Sequence, residues 1–248
     1  DTKGHRSVAV GFNALATQNF TTATNTFNTA VGYAAGVSVT TGTLNTLIGG
    51  LAGDALTTGQ QNVALGYQAL SADDVGNHSV AIGTGALLSQ NFSTATNSYN
   101  TVVGSTAGAS ITVGIHNTLI GGLAGDALTD ADYNVAIGIS ALSADTLGSR
   151  SIAIGRNALQ AQNFTTATDS HNTAIGYSAG TSVSTGRYNI LIGNDSGVAL
   201  TTGANNVAIG YEALATEDAN GDNVAVGYRA LKALNAGADS FNTAVGYL

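Results

Sequence analysis

The chain has 248 residues, of which 33 are Gly, with no Pro, Cys, Met or Trp and only 9% charged side chains. The lack of Cys excludes disulfide frameworks and thiolate metal sites, and a formal net charge of -8 with seven Lys plus Arg disfavours nucleic acid or an anionic membrane as partner. No apolar run reaches the roughly 18 residues of a membrane-spanning helix, so we expect no direct membrane insertion of this segment and place any export signal outside it.

A five-residue unit, Asn/Ser-x-Ala-aliphatic-Gly, recurs fourteen times, from SVAVG at Ser7 to NTAVG at Asn242. Its closing glycines follow one another at a constant spacing, as at Gly32, Gly49, Gly66 and Gly83, and a longer interval to Gly104 then interrupts the series. A fixed period of this size is typical of solenoids, in which each repeat forms one coil of a stack. The longer interval groups the coils into 72-residue blocks of one 21-residue and three 17-residue coils.

Each position of the unit predicts a place in the coil. The second position is Val, Ile or Thr and the fourth is Val, Ile or Leu, which predicts that both face the coil interior. The third position is mostly Ala, with Leu47, Leu119 and Leu191 at one phase of the block, and is predicted to lie on the opposite face. The Asn or Ser at the first position predicts a side-chain ladder along the stack.

The remainder of the coil is predicted to contain a turn, a second strand and a second turn. The closing Gly is expected to have positive φ, since the backbone must turn there. Ala recurs three positions later, from Ala14 to Ala230, and begins the predicted second strand. We therefore predict an all-β fold, a parallel β-solenoid of about 14 coils that runs as a single continuous domain over residues 1–248. We also expect it to be a segment of a longer repeat array.

Several copies of the unit resemble repeats of known families. SVAIG at Ser79, SIAIG at Ser151 and NVAIG at Asn134 resemble the head-domain repeats of trimeric autotransporter adhesins, whereas NTAVGY at Asn28 and NTAIGY at Asn172 are similar to phage tail-fibre repeats. The resemblance covers the whole chain, although the coils here are longer than the usual adhesin repeat. It implies a left-handed parallel β-roll, and a homotrimer with the small face near the subunit contacts.

The three complete 21-residue coils carry nearly the same insertion, which begins at Gln18, Gln90 and Ala161. Extra residues in a solenoid coil loop outward on one face, so the insertions are the predicted ligand-binding loops. An aromatic ring beside Asn and Thr could bind a sugar by stacking and hydrogen bonding; the alternative is that the three Phe pack over the coil edge. The candidate residues are Asn19, Phe20 and Phe27, Asn91, Phe92 and Tyr99, and Asn163, Phe164 and His171.

Other chemistry-bearing residues predict structural roles. The Asn-Phe-Thr/Ser elements also fit the N-glycosylation acceptor pattern, a match that we attribute to chance in a bacterial or phage protein. His78, His116 and His171 occupy the same position of the coil, directly before the Asn or Ser of the unit, and other coils have aromatic residues there, which predicts packing. The three His are two or three coils apart, which excludes one metal ion bound by two of them within the chain. A metal site built from symmetry copies of the chain stays open. Acidic residues such as Asp73 and Glu217 are predicted to keep the surface soluble.

We expect a non-enzymatic protein, because no catalytic constellation, phosphate loop or metal-ligand spacing occurs, and we expect no cofactor. The resemblance implies an extracellular, homotrimeric adhesive fibre or head segment on a bacterial cell surface or a virion, with a host surface glycan or protein as target. The alternatives are a phage tail fibre for host recognition and a purely structural spacer or self-assembling filament. An ice-binding face would need an unbroken Thr array, and Val or Ile interrupts the second position in eight of fourteen copies.

Overall fold

The computed structural model describes residue 1 and residues 3–235, 237–238 and 241–248. Over these residues the regular elements are all short β-strands, and no helix occurs. The chain forms two compact units, Asp1–Gly122 and Leu123–Leu248.

The first unit contains nine strands, seven of which pair in parallel with their nearest neighbours. A separate parallel pair joins β1 to β3, and β3 lies within the first insertion. The strands are β1 Gly4–His5, β2 Val8–Val10, β3 Thr24–Asn25, β4 Thr29–Val31, β5 Thr46–Ile48, β6 Val63–Leu65, β7 Val80–Ile82, β8 Thr101–Val103 and β9 Thr118–Ile120.

The second unit repeats this arrangement, again with seven parallel strands and one separate pair, β11 with β13, in which β13 lies within its insertion. Its strands are β10 Val135–Ile137, β11 Gly148–Ser149, β12 Ile152–Ile154, β13 Thr168–Asp169, β14 Thr173–Ile175, β15 Ile190–Ile192, β16 Val207–Ile209, β17 Val224–Val226 and β18 Thr243–Val245. Each unit is a parallel β-solenoid of seven coils, about 14 coils in all, which confirms the predicted fold class and period.

The predicted interior and exterior faces of the strands are reversed. The third position is completely buried in the inner coils, as at Ala64 and Ala81, whereas the second and fourth positions are partly exposed. Leu65 and Ile120, both at the fourth position, keep 40% and 38% of their surface exposed. The physical reason is the limited interior volume: the third position and the following turn fill it together, so the branched side chains at the second and fourth positions point outward.

In one coil of each block, the strand contributes a Leu to the interior, and the neighbouring turns have Gly where other coils have Leu. In seven of the coils the strand contributes Ala and the following turn contributes a Leu, such as the buried Leu70. Leu47 instead projects from the strand, and its two methyl carbons lie 2.6 and 2.8 Å from where Cβ atoms of Gly36 and Gly53 would be. The side chain thus fills space that turn leucines fill elsewhere, which conserves core volume. Leu191 has the same relationship to Gly180 and Gly197.

In the described residues no strand begins at the Ala three positions after the closing Gly, contrary to the prediction. The segment forms a turn that alternates two kinds of backbone hydrogen bond: Ala14 N donates within the coil to Gly11 O at 3.4 Å, and Leu15 N donates to Ala35 O of the next coil at 3.1 Å. Leu15 has φ of 48°, and this left-handed conformation accompanies the bond to the neighbouring coil. The expected positive φ of the closing Gly is confirmed, for example 136° at Gly49.

The predicted Asn ladder is confirmed, and it bonds mainly to the backbone. The buried Asn45 side chain accepts a bond from the N–H of Asn62 in the next coil at 3.0 Å and donates to the carbonyl of Gly59 at 2.8 Å. Each Asn thereby satisfies one donor and one acceptor that the turn would leave unpaired in the interior.

Candidate functional site: the insertion coils

Each complete insertion rests on a pair of buried polar side chains. The seventh position after the closing Gly is usually a core aliphatic, such as Leu56 or Ile111. Directly before and within the insertion coil it is Asp and then Gln, and both side chains are fully buried in two of the blocks. Gln90 Nε2 donates to Asp73 Oδ2 at 2.7 Å, and Gln162 Nε2 donates to Asp145 Oδ2 at 2.6 Å.

The same carboxylates fix the start of the insertion. Asp145 Oδ1 accepts bonds from the backbone N–H groups of Phe164 and Gly148, each at 3.0 Å. Asp1 has the equivalent role in the first block, with bonds from Gln18 Nε2 at 2.7 Å and from the N–H of Phe20 at 3.3 Å. The Phe rings pack inward and are only 8%, 4% and 6% exposed at Phe20, Phe92 and Phe164. This burial favours the packing interpretation for the three phenylalanines.

Where Ser replaces Asn in the ladder, residues of the insertion continue the buried hydrogen bonds. Ser79 Oγ lies 2.7 Å from Ser98 Oγ of the insertion, and Gln90 Nε2 donates to Ser79 Oγ at 2.7 Å. Gln90 Oε1 in turn accepts a bond from Asn100 Nδ2 at 2.9 Å. The short Ser side chain thus makes room for two insertion residues that complete the buried network.

Burial raises the pKa of Asp73 above its usual value, because a carboxylate removed from water is disfavoured. Bonds from Gln90 and from the N–H groups of Gly76 and Phe92 lower it, but they do not outweigh the desolvation. Asp73 therefore belongs to the internal support of the loop and does not contribute to solubility at the surface, which corrects the sequence-based assignment. Glu217 is likewise fully buried and bonded to Asn220.

The remaining predicted site residues lie at the surface. Asn19, Asn91 and Asn163 are exposed, as are Phe27, Tyr99 and His171 near the ends of the insertions. Between them, the segments 21–23, 93–95 and 165–167 are also exposed. The structure thus separates the candidate set into buried phenylalanines and an outward row of amide, hydroxyl and ring groups.

The exposed rings are stacked on neighbours along the coils. Tyr99 lies between His78 and His116, with ring centroids at 5.0 and 5.5 Å, and His171 lies 5.4 Å from Tyr188. The guanidinium of Arg6 covers Phe27 at 5.5 Å. This confirms the predicted packing of the His and aromatic column. Because both faces of Tyr99 are covered, a ligand there would contact the ring edge and the neighbouring polar groups.

A polar groove of about 520 Å³ lies beside the insertion of the second unit. It combines carboxylate acceptors, a guanidinium donor and hydroxyl groups, which is the mixture that a hydroxyl-rich ligand requires. The equivalent positions beside the second insertion, 72 residues earlier, are mostly uncharged, for example Thr58, Gln60 and Ile115, so this chemistry is particular to the third insertion. The lining residues are Asp130, Asp132, Ser149, Ala167, Thr168, Asp169, Arg187 and Tyr188.

Metal-ligating side chains do not gather in groups of three or more anywhere in the part of the chain that the structure describes. Within the same residues, no helix has the length and apolar character needed to span a membrane.

The sequence-based interpretation missed the buried Asp–Gln pair. The signal was present in the spacing, since Asp73 and Gln90 occupy one column in consecutive coils, as do Asp145 and Gln162. A column that is mostly aliphatic but polar at two consecutive coils indicates two side chains that bond to each other in the core.

Architecture and insertions define a parallel β-solenoid repeat protein that presents one outward loop per 72-residue block. The family model of the YadA head domain repeat matches two stretches, residues 3–24 and 58–86. Together with the fold, this match confirms the resemblance to the head domains of trimeric autotransporter adhesins, an adhesin family. No curated protein and no solved structure matches the chain.

Proposed function

We propose that the chain is a non-enzymatic head segment of an extracellular, homotrimeric adhesive fibre that attaches to a host or other surface through its insertion edge. The observation that carries this proposal is the match to YadA head repeats on a parallel β-solenoid whose buried polar pairs support outward insertions. A bacterial cell surface is the location that this family favours, and a phage tail fibre is the alternative location for the same role.

The outward aliphatic face supports self-association. The second and fourth positions of the strands present partly exposed Val, Ile and Leu side chains in each unit, as at Leu65, Ile120 and Ile190. An apolar surface repeated on successive coils is unfavourable in water, and such patches mark protein contacts. A second and third copy of the chain, each with the same face, can cover one another. The contact therefore involves the aliphatic face, whereas the small residues that the resemblance placed there lie inside the coil.

Solution mass tests the trimer. We expect the chain to sediment at three times its mass of 24.5 kDa. Leu65→Lys together with Ile82→Lys introduces two desolvated charges into the contact and should give monomers that keep their circular dichroism. Thr22→Lys, on the exposed first insertion, is the matched control and should remain trimeric. A wild-type chain at the monomer mass would contradict the proposal.

Attachment is tested by shortening the insertions. Replacing residues 90–99 with LTTGQQ, the sequence of residues 56–61, converts this coil to the shorter and commoner length, and the other two insertions can be shortened in the same way. We expect the shortened chain to stay trimeric and to lose binding to target cells and to a glycan array. Unchanged attachment would leave only a spacer or filament role.

The groove of the second unit gives a finer test. Asp132→Asn with Arg187→Ala removes one acceptor and one donor from its lining, and we expect binding to weaken by roughly tenfold or more if the groove contributes to attachment. Gln60→Ala with Ile115→Ala, at the corresponding positions beside the second insertion, is the matched control. Equal affinity of both variants would assign attachment to the rest of the insertion edge.

A further inference from the structure

The chain contains five Asn-x-Ser/Thr elements, and the structure divides them into two groups. Sequence alone gives no reason to separate them from chance matches, because all five satisfy the acceptor pattern. The three in the insertions are Asn19, Asn91 and Asn163, and the other two are Asn77 and Asn194.

In the insertions, both side chains that define the acceptor are presented outward. Asn91 and Ser93 are exposed, whereas Phe92 between them is buried. Burial alternates along these three residues, so the buried Phe anchors the segment while the Asn and the Ser stay exposed on either side of it. The same pattern of exposed, buried, exposed occurs at residues 19–21 and 163–165.

The amide nitrogen of these asparagines is also unoccupied within the described part of the chain. Asn163 uses its amide oxygen, which accepts a bond from Thr146 Oγ1 at 3.1 Å. No hydrogen bond from Nδ2 of Asn19, Asn91 or Asn163 to another described residue is formed, and all three residues are exposed.

In the other two elements the Asn amide is hydrogen-bonded and the Ser hydroxyl is buried. Asn77 Nδ2 donates to Asn97 Oδ1 at 3.3 Å, and the hydroxyl of Ser79 is fully buried in the network with Gln90. Asn194 Nδ2 donates to Asp195 Oδ2 at 2.8 Å, and the fully buried Ser196 donates to the carbonyl of Ala208. Neither site offers a free amide together with a reachable hydroxyl.

We propose that Asn19, Asn91 and Asn163 are N-glycosylation sites of the folded chain, modified by a transferase that uses a phosphate-activated sugar. In this step the side-chain nitrogen Nδ2 forms a bond to the anomeric carbon of the donor sugar. The bond between that carbon and the phosphate oxygen breaks, the phosphate leaves with the electron pair, and one amide proton passes to a base of the transferase. The product carries one sugar on the insertion of each complete block.

The proposal goes beyond the adhesive role, because its readout is covalent mass and does not depend on attachment. Peptide mass mapping of the chain isolated from its own cells should show sugar on the peptides that contain Asn19, Asn91 and Asn163 and none at Asn77 and Asn194. Unmodified peptides at all three insertions would overturn it.

A reaction with purified components tests the role of the fold. The folded chain is incubated with a soluble asparagine glycosyltransferase and a uridine-diphosphate hexose, and intact mass should rise by up to three hexose units. Asn91→Gln and Ser93→Ala should each remove one hexose, whereas Asn77→Gln should remove none. Equal modification of Asn77 and Asn194 in the folded chain would refute the argument from accessibility.

Discussion

At the scale of the residue, the closing glycines of the coils are required by two separate constraints. Gly49 has φ of 136°, a conformation that side chains disfavour, and a Cβ there would overlap the carbonyl oxygen of Gly66 and lie 2.7 Å from its carbon. The coil spacing brings the two backbones together at this point. The closing Gly is therefore fixed by stacking as well as by the turn.

Gly49→Ala should destabilise the chain by about 2 kcal/mol or more, because it combines backbone strain with a clash against the next coil. The adjacent Gly50→Ala is the matched control, since the nearest atom to its Cβ would be Tyr67 Cδ2 at an ordinary 3.5 Å. Its stability should change by less than about 0.5 kcal/mol. Chemical denaturation measures both, and equal losses would contradict the role of the next coil.

Two partly buried carboxyl groups, Asp54 and Asp126, add to the pH dependence of stability that the buried Asp73 also contributes. Burial raises the pKa of Asp54 and of Asp126 above the ordinary 3.8, and Oδ1 of each is buried without a partner among the described residues. The folded chain then holds protons that the unfolded chain has lost. The resulting stabilisation is full below pH 3.8 and disappears as pH rises through the raised pKa.

Asp54→Asn with Asp126→Asn should therefore flatten this part of the pH profile of the melting temperature, and should stabilise the chain near neutral pH relative to wild type. Asp130→Asn, at an exposed position, removes the same charge and serves as the control. A double variant whose melting temperature follows the wild-type profile would exclude both carboxyl groups as the cause.

At the scale of the element, the exchange of Leu and Gly shows that strand and turn share one interior volume. Leu47→Ala should cost about 3 kcal/mol, because neither Gly36 nor Gly53 can fill the cavity. Adding Gly53→Leu should recover part of the loss, since Leu70 at the equivalent turn position adopts φ of 54°, close to the 53° of Gly53. Gly53→Leu alone should destabilise by clash with Leu47. A double-mutant cycle measures the coupling, and additive effects would contradict shared volume.

The insertion depends on the buried Asp–Gln pair beneath it. Gln162→Ala would leave the buried Asp145 without its side-chain donor and break the bond to Ser151, at a cost of about 2 kcal/mol. Hydrogen exchange of the Phe164 amide, which donates to Asp145, should accelerate more than that of amides in β16. Gln60→Ala, at an exposed position, is the control and should change neither. Uniform acceleration across the unit would indicate global destabilisation only.

At the scale of the whole molecule, a single continuous solenoid over residues 1–248 is expected to unfold cooperatively across both units. Coils of a solenoid are stabilised by their neighbours, so a local defect spreads through the stack. Leu119→Ala, in the last coil of the first unit, should then reduce hydrogen-exchange protection in β10 as well as in β8. Reduced protection confined to the first unit would show two independent domains.

The sequence by itself determined the number of coils, their period, the 72-residue block and the Asn ladder, because each follows from residues that must recur once per turn of the chain. Spacing also placed the insertions and indicated that Phe20 and its equivalents could pack. Only the tertiary structure decided which strand face is inside, since Ala and Val alternate equally well in either direction until the width of the coil is known. It also decided that Asp73 and Gln90 are internal and that three of five acceptor asparagines are accessible, because burial depends on contacts between coils.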